Sequence, residues 1–373
     1  MTADLATSHG QQRLPRYVGY PAIAHFTNTV GPGAYAQWLK AIPQHASASL
    51  YLHAPFDHRD LIARGEQMAL YEAALRCEIE LISRQIGRRL KVEHVLFGGA
   101  PTIMAPESLT DLIGAIRQSF FVLPSAEIAV EIDPRALSSA MIDALALGGI
   151  NRANLNVQSF DPVVQRAVNR HQTFDQTATA AENLRRSGIS ALDIDLTYGL
   201  PRQTIASCLD TLRRCIGLRP DRFAVFGEPP SLDCDQRAVE ATSLLDGRDR
   251  HDQACAIANA LKEAGYLQIG PHHFAMSSDP LALVGHESSP RRDVQSSVEG
   301  SAEAEQNAIR IGFGAAAIGR LPAGYVQNTI SISDYSDAIA SGRLAASRGC
   351  VREEEEDWPA WSSSASRAAS ASA

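Results

Sequence analysis

No two of the six cysteines in this 373-residue chain stand two or three positions apart. The paired-thiolate spacing of zinc and dithiol motifs is therefore missing. Cys208 and Cys215, seven apart in the helix-like "TIASCLDTLRRCIGL", share one face and read as small buried hydrophobes. No apolar run approaches the roughly 18 residues that cross a bilayer. The start, "MTADLATSHGQQRLPRY", lacks the apolar core of a secretory signal. Basic excess is missing too. The formal net charge is -8, which argues against nucleic acid or an acidic membrane as partner. These absences lead to the expectation of a cytoplasmic protein.

What is present is ample apolar text, 45% of the residues, enough to bury a sizeable core at this length. From about Ser49 the chain alternates short apolar runs with helical periods. "SLYLH" (49–53) precedes a helix in which Tyr71, Leu75, Ile79, Ile82 and Ile86 recur every three or four residues. "VEHVLFGG", "EIAVEIDP", "RANLNVQSF", "ALDIDLTYGLP" and "RFAVFGEPP" follow, each leading into helical text, and "YLQIG" (266–270) is a candidate seventh strand. Such runs suit parallel strands covered on both faces. Repeated right-handed βα units predict an α/β fold, a complete or partial (β/α) barrel, with a doubly wound open sheet as the alternative. The expected organisation is an N-terminal arm at 1–48, the barrel at 49–275, a long loop and residual closing segment at 276–345, and a disordered acidic and Ala/Ser-rich tail at 346–373.

In a parallel barrel the ligand lies over the C-terminal strand ends. Here those ends carry Gly98 and Gly99, Glu131 with Asp133, Gln158, and Asp195. A carboxylate within an apolar run is costly unless it is paired or faces a wet cavity. Taken as a ring, these residues point to a ligand pocket. Paired carboxylates suit ribose hydroxyls or an ammonium group, and a glycine pair admits close backbone approach. Gln158 offers a donor and an acceptor, and Arg170 grips a carboxylate with two prongs. The set fits a zwitterionic, sugar-bearing ligand. Ordinary acid–base catalysis by Glu131 and Asp195 is a further reading that rests on position alone.

Five stretches sharpen this: "SLYLHAPF", "VEIDPRAL", "NVQSFDPVVQRAVNRHQ", "DIDLTYGLPRQT" and "PDRFAVF". With "LPRYVGYPAIAHF" and "GYVQN" (324–328), they closely resemble the oxygen-independent coproporphyrinogen III oxidases, radical S-adenosylmethionine enzymes of haem synthesis. The resemblance runs from about Arg13 to Arg348 and implies a radical-SAM partial (β/α)₆ barrel with the N-terminal arm over its mouth. It implies a tetrapyrrole partner and, as activity, oxidative decarboxylation of coproporphyrinogen III to protoporphyrinogen IX. It also implies roles: Tyr51 beside cluster-bound S-adenosylmethionine, Glu131 contacting that molecule, Ile318 as an apolar wall, and Gln158, Arg170 and Asp195 against a second such molecule.

The chain departs from the family at its reactive centre. There, the HxPF turn leads into CxxxCxxC, whose thiolates hold a [4Fe–4S] cluster. Here the text is "HAPFDHRDLIARGEQ", with Asp57 at the first cysteine position and the others missing. His53, Asp57, His58 and Asp60 are hard or borderline ligands that suit zinc or mononuclear iron rather than a cuboidal cluster. The family's GGGTP reads "GGAPT" (98–102), the text after strand six reads "GEPPS" with Pro229 in place of an alanine, and "GPHHFA" keeps His273 and Phe274 but loses what should follow. The C-terminal helical domain is expected to be truncated, leaving barrel surface uncovered for association. The expectation is a degenerate family member, impaired in catalysis. The alternative is a non-catalytic S-adenosylmethionine or haem/tetrapyrrole binder, with His53, His272 or His273 as axial ligand.

Overall fold

Among the residues that the computed structural model describes (25–56, 65–227, 247–270, 272–285 and 309–352), twelve strands form one sheet. Six successive strands are parallel neighbours: β1 (Ser47–Ala54), β2 (Lys91–Gly99), β3 (Phe121–Ile132), β4 (Arg152–Val157), β5 (Ala191–Tyr198) and β6 (Arg222–Gly227). Helices fill the connections: α2 (Gly65–Ile86), α3 (Pro106–Ser119), α4 (Ser139–Leu147), α5 (Pro162–Ala167) with α6 (Phe174–Arg186), and α7 (Ile205–Gly217), after α1 (Pro32–Lys40). This is the partial barrel that the resemblance implies and one of the barrels that the alternating pattern allowed.

Local chemistry sets the helix starts. Thr173 and Gln176 form a capping box on α6, Thr204 and Ser207 another on α7, and the Ser138 side chain caps α4. Each satisfies amide groups that the first helical turn leaves unbonded. Cys208, Leu212 and Cys215 lie on the buried stripe of α7, as their spacing implies.

β5 shows how one strand serves two environments. Leu192, Ile194 and Leu196 are at most 2% exposed and join the main core. Asp193, Asp195 and Thr197 alternate with them and so point to the opposite face, the inside of the barrel. β4 does the same with Asn154 and Asn156. The inner face of these two strands is thus polar, where the apolar runs suggested strands buried alike on both sides.

Both ends of the barrel sheet are extended by antiparallel text. "YLQIG" does give a strand, β7 (Tyr266–Gln268), after α8 (Gly247–Glu263). It pairs antiparallel with β8 (His273–Met276), which pairs antiparallel with β6 and leads to α9 (Pro280–Gly285). At the other end β9 (Ile309–Phe313) lies parallel to β1. β10 (Ile318–Leu321), β11 (Gly324–Asn328) and β12 (Ala346–Val351) continue antiparallel, with α10 (Ile332–Ala340) before the last. The tail boundary placed at 346 was too early: Ala346–Val351 is a paired strand, because β11 offers it an open edge. The described part of the arm packs on this same end. Tyr35 and Leu39 of α1 are buried in the main core, and Thr27 bridges Gly349. Residues 1–24, where the arm was expected to cover the mouth, lie outside the described part. No helix among the described residues is long and apolar enough to cross a membrane.

Candidate functional site at the strand ends

The C-terminal ends of β1, β2 and β3 bring four of the expected residues together. The Gly99 amide donates to the Glu131 carboxylate at 2.8 Å. The Tyr51 ring lies over Gly98 so closely that a Cβ there would meet its Cε2 at 2.6 Å. Gly98 thus lets an aromatic ring rest on the backbone. Gly99, at φ +85°, is needed for a second reason, since any side chain would run into the Ala54 carbonyl. The Tyr51 hydroxyl shares a 2.9 Å hydrogen bond with His53 Nδ1. Burial, with Glu131 nearby, pushes the Tyr51 phenol well up, so it stays protonated.

The other expected residues lie on β5, on β10 and in the segments after β4 and α5. Asp195 lines a small cavity with Asn154, Asp193, Arg222, Ala224 and His273. Gln158 follows β4, and its buried Oε1 has no hydrogen-bond partner among the described residues. Arg170, after α5, reaches Asp133 at the end of β3 at 3.4 Å, and Arg135 grips the same carboxylate through Nε at 2.9 Å and Nη2 at 2.6 Å. Desolvation pushes the Asp133 carboxyl up, but its bond to Arg135 and the Arg170 charge outweigh it and hold it below the usual range. Ile318 begins β10 beside Gly312, opposite Tyr51 across the β1–β9 pairing. Asp133 was quoted only as a neighbour of Glu131. Its role depends on two arginines, one of them 37 positions away, which no local pattern reveals.

Next to Asp195 the barrel holds a buried ion cluster that the sequence did not reveal. Arg152 and Arg222 meet Glu127, Asp193 and Asp279: Arg152 Nη1 lies 2.5 Å from Asp193, and Arg222 Nη2 lies 3.0 Å from Glu127. Three carboxylates face two guanidinium groups, which leaves room for one proton. Burial raises the Asp193 carboxyl from 3.8 to about 6, against the pull of Arg152 and Arg222. A folded value above the unfolded one adds stability that is fully present below about pH 4 and lost as pH rises through 6. The loss is about 3 kcal/mol for a shift of this size. Asp193→Asn is expected to remove that slope. The wild-type-minus-variant difference in urea unfolding energy should therefore change across pH 4 to 6 and stay level above it. A flat difference would place the proton elsewhere.

The histidines offered as axial ligands are poorly placed for that task. His53 is 1% exposed and bonded to Tyr51. His273 is 5% exposed, edge-on to Phe226, with its imidazole held neutral by burial, down to about 3. His272 packs against Phe226 as well. Asp57, His58, Asp60 and Pro229 fall outside the described residues, and among the described residues no three His, Cys, Asp or Glu side chains gather to hold a metal.

The radical SAM superfamily model matches residues 78–215. The oxygen-independent coproporphyrinogen III oxidase of Bradyrhizobium diazoefficiens is 53% identical over 361 residues, 94% of this chain and 79% of that protein. That of Cereibacter sphaeroides is 34% identical over 92% of this chain and 78% of its own length. The chain belongs to the oxygen-independent coproporphyrinogen III oxidase family. The solved coproporphyrinogen III oxidase of Escherichia coli, described as a radical SAM enzyme, superposes with a TM-score of 0.79 at 30% identity, covering 90% of this chain and 79% of that one.

The family's cofactors are S-adenosylmethionine and a [4Fe–4S] cluster on three thiolates. Cys77, inside α2, is the first cysteine of this chain. The described cysteines are scattered over α2, α7, α8 and β12, with Cys208 and Cys215 buried. The residues after β1 therefore do not fit the cluster. The ring does fit a zwitterionic nucleoside: it offers the Glu131 and Asp195 carboxylates, the Arg170 guanidinium and the unpaired Gln158 carbonyl.

Proposed function

We propose that this family member binds an S-adenosylmethionine-type ligand at the strand ends, in the cytoplasm, without performing radical decarboxylation. The carrying observation is a split within one site. Glu131 on β3, Asp195 within β5, and Gln158 and Arg170 in the segments after β4 and α5 remain, and the buried Gln158 Oε1 has no hydrogen-bond partner among the described residues. Yet no cysteine precedes Cys77. A buried acceptor without a partner is costly, and a donor on a bound ligand would satisfy it. Tyr51, Gly98, Gly99 and Ile318 line the same mouth in this reading. The tetrapyrrole enters as a binding partner, over the mouth, rather than as a substrate consumed. Haem ligation is disfavoured, because His53 and His273 are buried.

Calorimetry with S-adenosylmethionine and S-adenosylhomocysteine tests the proposal. Without the iron contact, affinity is expected in the high micromolar to millimolar range, about -4 to -5 kcal/mol. Asp195→Ala should bring binding below detection, because losing a charge-assisted hydrogen bond costs about 1.5–3 kcal/mol. Binding left intact in both Asp195→Ala and Glu131→Ala would make the ring purely structural.

A further inference from the structure

Glu78 lies on α2 and is wholly buried. Its carboxylate accepts three hydrogen bonds, all from the segment that closes the sheet beside β1. The Gly314 amide (2.8 Å) and the Tyr335 hydroxyl (2.7 Å) donate to Oε2, and the Asn328 side-chain amide (2.8 Å) donates to Oε1. Asn328 also donates to the Gly314 carbonyl at 3.0 Å. Seven positions earlier, on the same face of α2, the Tyr71 hydroxyl donates to the His53 carbonyl (2.7 Å) and accepts from the Ala315 amide (2.9 Å). Residues 314–318 are thus pinned between α2 and the end of β1, next to Tyr51 and His53. The pinned backbone is unusual. Gly314 has φ +99° and Ala316 φ +63°, and a Cβ on Gly314 would collide with the Tyr71 hydroxyl and the His53 carbonyl. A non-glycine residue held at positive φ persists only where its surroundings over-determine it.

We infer that Glu78 is a positioning residue: its ionised carboxylate holds the 314–318 wall against the mouth, and protonation loosens the wall and weakens ligand binding there. The ligand part of this rests on the function proposed above. The titratable groups facing Glu78 are Tyr35 of α1, Tyr71 of its own helix and Tyr335 of α10, with Cys77 beside Tyr335. β9 and β11 bring the Gly314 amide and the Asn328 side-chain amide, neither of which titrates. Hydrogen bonds, rather than a cation, hold the charge. Burial outweighs those three bonds and lifts the carboxyl from 4.5 to about 7, so the switch falls near neutral pH. The ionised form makes charge-assisted bonds, stronger than those of a neutral acid. A carboxylic acid O–H would itself need an acceptor, and of the three partners only the Tyr335 hydroxyl can turn to accept.

Two measurements on the full-length chain test this. The first is amide hydrogen exchange across 309–318 at pH 6 and pH 8, corrected for intrinsic rates. The second is S-adenosylhomocysteine titration at the same pH values. Protection and affinity are each expected to be about tenfold greater at pH 8, because a carboxyl titrating near 7 is about tenfold more ionised there than at pH 6. Glu78→Gln should abolish both differences. Tyr335→Phe removes one donor to the carboxylate and should move the midpoint to higher pH, a result that decides the matter even if Glu78→Gln does not fold. Wild-type exchange independent of pH, or a pH dependence that survives Glu78→Gln, overturns the inference. If the homocysteine analogue fails to bind at either pH, the proposed function fails, while exchange still decides the role of Glu78.

Discussion

Anaerobic reconstitution with iron and sulfide is expected to leave this chain without a [4Fe–4S] centre: no broad charge-transfer absorption, no four irons per chain, and no reductive cleavage of S-adenosylmethionine. The cluster needs three thiolates converging on one loop. The segment after Phe56 reads "DHRDLIAR", and its carboxylates and imidazole are hard or borderline ligands that do not support a cuboidal iron–sulfur core. Cysteines elsewhere do not compensate. Burial raises the Cys208 thiol to about 12 and Cys215 further, so both remain protonated and inert. Without a cluster there is no electron donor for homolysis, and turnover of coproporphyrinogen III should fall to background, a loss of many orders of magnitude. Asp57→Cys alone should not restore it, since one thiolate is not three. Four irons per chain together with 5′-deoxyadenosine production would refute this.

The barrel was legible because each βα unit carries its own evidence within some thirty residues: an apolar run followed by helical text. The mouth was legible because carboxylates interrupt two of those runs at their ends, Glu131 in "AVEID" and Asp195 in "DIDLTYG". What escaped depends on partners far apart in the chain. β12 is a strand because β11 has a free edge, not because "ASRGCV" is strongly strand-like. Glu78 reads as one more polar residue in a helical period until Gly314, Asn328 and Tyr335, some 240 residues later, close over it. The superfamily match, too, begins at Glu78, after the loop in which the family keeps its cysteines.

The largest stability effect is expected at the base of the barrel, from Arg222→Ala. The Arg222 guanidinium reaches Asp279 through Nε at 2.9 Å and both oxygens of Glu127 at 3.1 and 3.0 Å, with Asp193 at 3.9 Å. Arg152 reaches the same three acids: Glu127 at 2.8 Å, Asp193 at 2.5 Å and Asp279 at 3.3 Å. The two guanidinium side chains are each 6% exposed, so solvent screens the cluster little and added salt should not relieve the loss. Removing one arginine leaves three buried carboxylates facing a single cation. Breaking a buried pair in this way costs about 3–5 kcal/mol, a large part of the roughly 5–15 kcal/mol that holds a domain folded. Arg222→Lys should recover only part of this, because an ammonium cannot span Glu127 with two prongs while reaching Asp279. Asp193→Asn in the Arg222→Ala background should restore more, by removing one of the uncompensated charges. Urea unfolding of the three variants separates these cases. A cost below about 1 kcal/mol for Arg222→Ala would place it in the range of solvent-exposed ion pairs and show that water reaches the base of the barrel.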